Sequence, residues 1–382
     1  MRIALISRSW PSYERSGVSL AAALHSKMLV ELGHYVAIVG SDVGVLKVDA
    51  PCHERHFIAA KGSGALYSPV QINVEEILLF LANFRPDVVV VEAWQTALTD
   101  TFVEAASQTN IPVLMISHGV SVAPFSVHWK DWIRAMAWQY YRWVKLTKLI
   151  RNLSAITTLD PSSRSSRFID RDIALRYRKP VLVLGNPPIN WNDSPLPRQA
   201  RKDEILVVGY YSRVKNQLAA LELALALRDT SIRFKFVGPR NGVYLESCVR
   251  FVQKHGLQKT VTFLTDNECN LAEAIGTCLA VLSTSITEAL PITLIESMAS
   301  GTPFIATDVG AVSSLRGGVI ANSTKERKRL LLTLRDDQLM WNDLSTEGRS
   351  HFIKSFTYQN IRDSLRDVIY AVSSQSSHHC QQ

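Results

Sequence analysis

Thr287-Glu288-Ala289-Leu290-Pro291-Ile292-Thr293-Leu294-Ile295-Glu296-Ser297-Met298-Ala299-Ser300-Gly301-Thr302-Pro303-Phe304-Ile305-Ala306-Thr307-Asp308-Val309-Gly310 decides how this chain of 382 residues is read. A buried strand is expected to end near Ser283, so Glu288 falls on the loop that follows it. Pro291 suits the first position of a helix, where a missing N–H costs nothing. Ile292, Ile295, Met298 and Ala299 give that helix an apolar face. Gly301 ends it, and Pro303 prevents its continuation. A helix N-terminus at the carboxyl end of a parallel strand is a natural anion site, because free amides and the helix dipole both favour phosphate.

Glu288 then stands at the mouth of the loop and Glu296 about a turn and a half inside the helix. Glutamates are mostly exposed, so spacing alone favours two solvated carboxylates. The surrounding pattern reverses that preference. Two carboxylates beside a phosphate site make sense if each accepts hydrogen bonds from hydroxyls on either side of the phosphate. One partner is a sugar and the other a ribose, as in a nucleotide-sugar.

Outward from this stretch, the same strand–loop–helix unit recurs. Strands are expected over Arg2–Ser7, Tyr35–Val39, Asp87–Val91, Val113–Ser117, Ala155–Leu159 and Val181–Leu184. A second set covers Ile205–Gly209, Arg233–Val237, Val261–Leu264, Ala280–Ser283 and Phe304–Thr307. Several are unbroken runs of Val, Ile and Leu, as parallel strands buried on both faces require. Helices fit Val18–Leu32, stopped by Gly33, and Val74–Asn83. Between the two sets, Asn186–Lys202 holds Pro187, Pro188, Pro195 and Pro197 among Asn, Asp, Ser and Arg, which reads as a linker. The expected fold class is α/β, with two Rossmann-like domains facing each other across a cleft, residues 1–186 and 187–357. The polar stretch 373–382 is expected to be a disordered tail.

Composition excludes several classes. At 47% hydrophobic and 20% charged, the chain is neither disordered as a whole nor fibrous. Five cysteines are odd in number and scattered (Cys52, Cys248, Cys269, Cys278, Cys380), so neither a disulfide framework nor a thiolate zinc site is supported. No run approaches the ~20 apolar residues of a membrane span. Met1–Ser7 reads as a first strand rather than a signal peptide, and a cytoplasmic location is expected. The net charge is +8, and between Lys130 and Lys179 twelve Lys or Arg face four Asp. Within this region, Trp129–Arg151 holds four of the eight Trp with Tyr140, Tyr141 and six cations. As a helix it suits an anionic membrane surface or an acceptor groove, or simply packs against its own domain. Nucleic acid is not expected, because no nucleic-acid fold signature accompanies the patch.

The stretch from Glu288 onward resembles the Glu-x7-Glu signature of the family 4 retaining glycosyltransferases, which have the GT-B fold. The likeness takes in the following Met-Ala-x-Gly-x-Pro and Thr-Asp-Val-Gly. It extends at lower strength to Ser16-Gly17-Val18, Leu32-Gly33-His34-Tyr35-Val36, Arg85-Pro86-Asp87-Val88-Val89, Val237-Gly238-Pro239 and Val261-Thr262-Phe263. An ordered set of this kind over some 300 residues is far more specific than any one motif.

The resemblance implies transfer of a hexose-type sugar, with retention, from a nucleotide-sugar (UDP- or GDP-linked) to a glycan or lipid-linked acceptor. It implies that Glu288 holds hexose hydroxyls and Glu296 the donor ribose. The amides of Ile292 and Thr293, beside Ala289 and Leu290, meet the distal phosphate. Lys215 matches the phosphate-clamping lysine. The companion arginine position is Tyr210 here, and Arg213 is the nearest substitute. Gly17 lets the backbone approach the donor, and His118 contacts the sugar near the reacting carbon. The final helix, about Tyr358–Val372, is expected to cross back to the first domain. With no Asp-x-Asp motif, neither a metal nor a resident cofactor is expected. Two other functions share the fold: a nucleotide-sugar 2-epimerase, and an inactive partner protein, to which the Tyr210 departure lends weight.

Overall fold

The computed structural model describes residues 1–11, 16–62, 69–121, 129–191, 193–239 and 242–379. The chain divides into two compact units, Met1–Asn186 with Gln359–Gln382, and Pro187–Tyr358. The dividing point is the Asn186–Pro187 bond, inside the irregular stretch that follows Val183.

The first unit contains β1 (Arg2–Ile6), β2 (Tyr35–Gly40), β3 (Glu54–Phe57), the short pair β4 (Ala60–Lys61) and β5 (Gln71–Ile72), β6 (Val88–Glu92), β7 (Val113–Ile116), β8 (Ala155–Thr158) and β9 (Val181–Val183). Its helices are α1 (Gly17–Glu31), α2 (Val74–Phe84), α3 (Ala97–Ala106), α4 (Trp129–Tyr140), α5 (Leu146–Arg151) and α6 (Ile169–Arg176). The main sheet runs β3-β2-β1-β6-β7-β8-β9, and its neighbouring strands pair in parallel. Every residue of β6 is buried, as a strand covered on both faces demands. The core gathers Val89, Val91, Leu98, Phe102 and Met115 beneath the helices.

The second unit contains β10 (Glu204–Val208), β11 (Arg233–Val237), β12 (Val261–Leu264), β13 (Ala280–Ser283), β14 (Phe304–Ala306) and β15 (Gly318–Ile320). Its helices are α7 (Gln217–Ala226), α8 (Val243–Lys254), α9 (Leu271–Thr277), α10 (Ile292–Ala299), α11 (Thr324–Asp336) and α12 (Gln338–Ser355). The sheet order is β12-β11-β10-β13-β14-β15, again parallel. In each unit the order reverses once, at β1/β6 and at β10/β13. Loops leave opposite faces there, which opens a crevice at the carboxyl ends of the strands.

The last helix, α13, spans Tyr358–His379. From Gln359 onward it belongs to the first unit. Ile361, Leu365, Val368, Ile369 and Val372 are buried on one face, and Arg362 lies 3.6 Å from Glu31. The expected disordered tail is corrected here: the helix does not stop at Val372 but continues to His379. Ser, Gln and His lack apolar periodicity, yet no Gly or Pro interrupts the hydrogen-bond ladder. Residues 380–382 lie outside the described residues.

The basic aromatic segment is helical with one irregularity. Between α4 and α5, Tyr141–Lys145 forms a single π-turn. Tyr141, fully buried, donates its hydroxyl to Asp100 Oδ2 at 2.9 Å, and Lys145 Nζ lies 3.2 Å from the same oxygen. Burial pushes the Asp100 carboxyl up to about 6 against the opposing pull of Lys145 and Tyr141. This wider turn is where the segment is fastened to α3.

Candidate functional site

The two loops flanking the β10/β13 reversal build the site. After β10, Ser212 accepts the Lys215 amide at 3.2 Å, and Asn216 takes a left-handed conformation (φ 50°) just before α7. Thr284, just beyond β13, donates its hydroxyl to the carbonyls of Lys215 (3.3 Å) and Asn216 (2.9 Å). The Ile286 amide bonds the Val214 carbonyl at 2.8 Å. The two loops are thus laced together by their own backbones, and Lys215, Thr284, Ser285, Pro291 and Thr293 line one crevice.

Within it, Lys215 Nζ lies 2.6 Å from Glu288 Oε1, and Ser285 donates to the same oxygen at 2.9 Å. The loop carrying Glu288 leans on Gly310. A Cβ there would stand 2.1 Å from the Glu288 carbonyl oxygen and 2.3 Å from that of Ala289, at a φ of +60°. Only glycine permits that approach, which explains the Thr-Asp-Val-Gly ending physically. The Ala311 amide then bonds the Ala289 carbonyl at 2.8 Å. Ala289 and Leu290 are buried.

The helix starts one residue later than the sequence reading placed it. Pro291 is the cap, extended at ψ 115°, and Ile292 is the first helical residue. The amides of Ile292 and Thr293 have no hydrogen-bond partner among the described residues, as first-turn geometry dictates. Together with Lys215 they make a positively polarised corner.

Glu296 is 3% exposed. Its Oε1 accepts the amides of Ile189 (3.1 Å) and Asn190 (2.6 Å). Burial nevertheless dominates those bonds and pushes its carboxyl up to about 7. At its far end α10 is stoppered by Arg201, 6% exposed. That guanidinium donates to Thr302 Oγ1 (2.6 Å) and to the carbonyls of Ser300 (3.0 Å) and Gly301 (3.1 Å), and it lies 4.7 Å over the Trp341 ring.

All seven of Lys215, Glu288, Glu296, Ala289, Leu290, Ile292 and Thr293 lie in the second unit. Lys215 pairs with Glu288 and shares a crevice with Thr293, whereas Glu296 lies further along α10 and is bound to the backbone of Ile189 and Asn190. Arg213 does not join the Lys215–Glu288 pair. It is exposed on the turn before α7, and its charge acts on Tyr244 of α8. Tyr210 is 46% exposed.

Gly17 and His118 lie in the first unit. Gly17 is the first helical residue of α1, behind a Ser16–Ser19 capping box. His118 follows β7 and is buried. Sequence reading did not find what holds it. Glu92, closing β6, places Oε2 2.7 Å from His118 Nε2 and Oε1 2.7 Å from His25 Nδ1 on α1. Burial alone would raise the Glu92 pKa, but the two imidazoles together overcome it and hold the carboxyl at about 2. The one available signal was a lone acid ending an otherwise unbroken Val run. Next to this group, Asp170 accepts from Trp94 Nε1 at 2.7 Å and from the Ser117 hydroxyl.

Among the described residues no group of His, Cys, Asp and Glu has the geometry of a metal site, and no helix is long and apolar enough to cross a membrane.

Comparison with known proteins bears on the family and the fold. Residues 192–317 match the family model of the glycosyl transferases group 1. A stretch of 106 residues is 32% identical to the Bacillus subtilis (strain 168) protein named "Putative glycosyltransferase EpsF", covering 27% of this chain and 27% of that protein. Over nearly its full length the chain has the fold of sucrose-phosphate synthase from Thermosynechococcus elongatus (TM-score 0.75, 15% identity, 98% and 99% of the two chains). HepE from Anabaena, solved with UDP and glucose, is similarly close (TM-score 0.71, 14% identity, 97% and 99%). Residues 192–317 thus belong to the group 1 glycosyl transferases, and the chain that carries them has the GT-B fold with its two Rossmann-like units.

Proposed function

We propose that this protein transfers a hexose-type sugar, with retention and without a metal ion, from a UDP- or GDP-linked donor to a glycan or lipid-linked acceptor. The observation that carries the reading is the corner formed by Lys215, Glu288 and the first amides of α10, with Glu296 buried in the same helix. Cation and amides suit a diphosphate, while the carboxylates suit hydroxyls on its two sides. HepE, of the same fold, was solved with UDP and glucose, which supports a nucleotide-sugar as donor.

In the reaction the bond from C1 of the sugar to the distal phosphate oxygen breaks, and the acceptor oxygen bonds to C1 on the same face. The acceptor proton passes to the departing diphosphate. Lys215 and the amides of Ile292 and Thr293 stabilise the charge that develops on the leaving group. Glu288 orients the hexose, Glu296 the ribose, and His118 meets the sugar near C1. Arg213 and Gly17 are assigned supporting contacts with the donor.

A thermal-shift panel of UDP, GDP, ADP and their hexose conjugates tests the reading. One nucleotide series is expected to raise the melting temperature, the sugar conjugate more than the diphosphate. No shift with any of them points instead to an inactive partner protein. Conversion of the donor without an acceptor points to an epimerase.

We further assign the α4–α5 segment to an anionic membrane surface, where a lipid-linked acceptor resides. Trp132, Ile133, Met136, Tyr140, Trp143 and Val144 are each about half exposed or more, between 47% and 61%. Lys148 beside them is 70% exposed along its side chain, with Glu104 Oε1 at 3.3 Å from its Nζ. Aromatic rings at the headgroup level with cations toward acidic lipid are the expected arrangement. The side chains of Trp129, Lys130, Asp131 and Arg134 lie outside the described residues. Vesicles containing phosphatidylglycerol should retain the protein at low salt and release it as salt rises, and Trp143→Asp should weaken retention. Equal retention by phosphatidylcholine vesicles, or none by either, would remove the assignment.

A further inference from the structure

We propose that Glu92 is a positioning residue for transfer: it fixes the His118 ring and keeps the proton on Nε2, so that Nδ1 is the nitrogen His118 offers to the sugar. This rests on the assignment of His118 to the transferred sugar made above.

Three elements converge to build the group. Glu92 ends β6, His25 lies on α1 and His118 follows β7. The side chains of Glu92 and His25 are fully buried, and that of His118 is 6% exposed. A carboxylate in such a place is tolerated only when its oxygens are satisfied. Each oxygen here has one imidazole nitrogen at 2.7 Å.

An ionised carboxylate can only accept, so both facing nitrogens must carry hydrogen. That places N–H on Nδ1 of His25 and on Nε2 of His118. His25 Nε2 is buried without a hydrogen-bond partner among the described residues, so the one hydrogen bond the His25 ring makes there is the one to Glu92. His25 thus acts as a second clamp on the carboxylate. The two rings stand 6.5 Å apart, 25° from parallel. His118 Nδ1 makes no hydrogen bond among the described residues and is the nitrogen left for a ligand.

The test is Glu92→Gln, which keeps the shape but presents one donor and one acceptor. The amide can satisfy both rings only if one changes tautomer. Release of diphosphate from the nucleotide-sugar giving the largest thermal shift is expected to slow roughly 10- to 100-fold in kcat, with donor KM near wild type, as for a misplaced catalytic group. Nitrogen-15 imidazole spectra should show the Nε2–H tautomer for His118 in the wild-type protein and a mixture in the variant. His25→Asn, whose amide still donates to Glu92, should keep both rate and tautomer.

If His118→Ala loses turnover but Glu92→Gln keeps wild-type kcat, Glu92 has no positioning role and the assignment of His118 stands. If His118→Ala itself turns over normally, that assignment falls and Glu92 falls with it. A wild-type spectrum showing Nδ1–H for His118 overturns the proposal without any variant, so a Glu92→Gln protein that fails to fold still leaves a decisive measurement.

Discussion

Lys215→Ala is expected to lower transfer by roughly 10²- to 10³-fold while leaving the fold intact, the size of effect seen when one stabiliser of developing charge is removed. Lys215 Nζ is 2.6 Å from Glu288, at side-chain exposures of 30% and 16%. A pair this close to solvent contributes about 1 kcal/mol or less to stability, so the melting temperature should move by only a few degrees. The backbone around it is held without the side chain: Thr284 grips the carbonyls of residues 215 and 216, and Ser212 accepts the Lys215 amide. Lost turnover therefore reports chemistry and not collapse. Lys215→Arg should recover part of the rate, since a cation remains, although a planar fork fits the corner differently. Steady-state rates with purified Lys215→Ala at the wild-type level would take Lys215 out of the reaction.

Glu296→Gln should make the protein more stable above neutral pH and poorer at holding a nucleotide. Burial raises the Glu296 carboxyl to about 7 from an ordinary 4.5. The folded state thus binds more protons than the unfolded state between those values. Stability is fully present below pH 4.5 and declines as pH rises through 7, by about 3 kcal/mol in all. Glutamine removes that decline. Its carbonyl can still accept the amides of Ile189 and Asn190, so little is lost at low pH. Melting curves of the two proteins should coincide near pH 5 and separate by several degrees at pH 8. Nucleotide affinity should behave oppositely. Ribose hydroxyls donating to Glu296 favour its ionised form, so binding releases a proton and strengthens as pH rises toward 7 in the wild type, with a flat profile in the variant. Parallel stability profiles would mean that Glu296 is ionised without penalty in the folded protein.

How much of this was legible differs element by element. Strands such as β6 and β13 announce themselves because parallel strands buried on both faces are built of unbroken apolar runs, with a polar residue only at the last position, Glu92 and Ser283. By contrast β3 reads Glu54-Arg55-His56-Phe57, since it is an edge strand whose side chains are exposed or half-buried. Its register comes from pairing with β2, which sequence does not display. β4, β5 and β15 are two or three residues long and carry no period. The Glu288–Gly310 stretch was legible because its contacts are local: loop, cap, helix and the glycine that returns against the loop. The Glu92 group was not, because its partners stand 67 and 26 residues away and meet only once the sheet has formed. The π-turn at Tyr141 was hidden for the same reason, since its hydrogen-bond partner is Asp100.

Arg201 gives α10 a tether at the pole opposite the one that would meet a diphosphate. A ligand pulling on the amino end of this short rod works against a guanidinium locked to the carbonyls at the other end and lying over Trp341. The stiffness of the start of α10 is thus set partly by Arg201, a residue within the Asn186–Lys202 linker at the helix's other end. Swapping donor preference by exchanging crevice residues alone would leave that stiffness unchanged, whereas drift at position 201 would soften every such exchange at once.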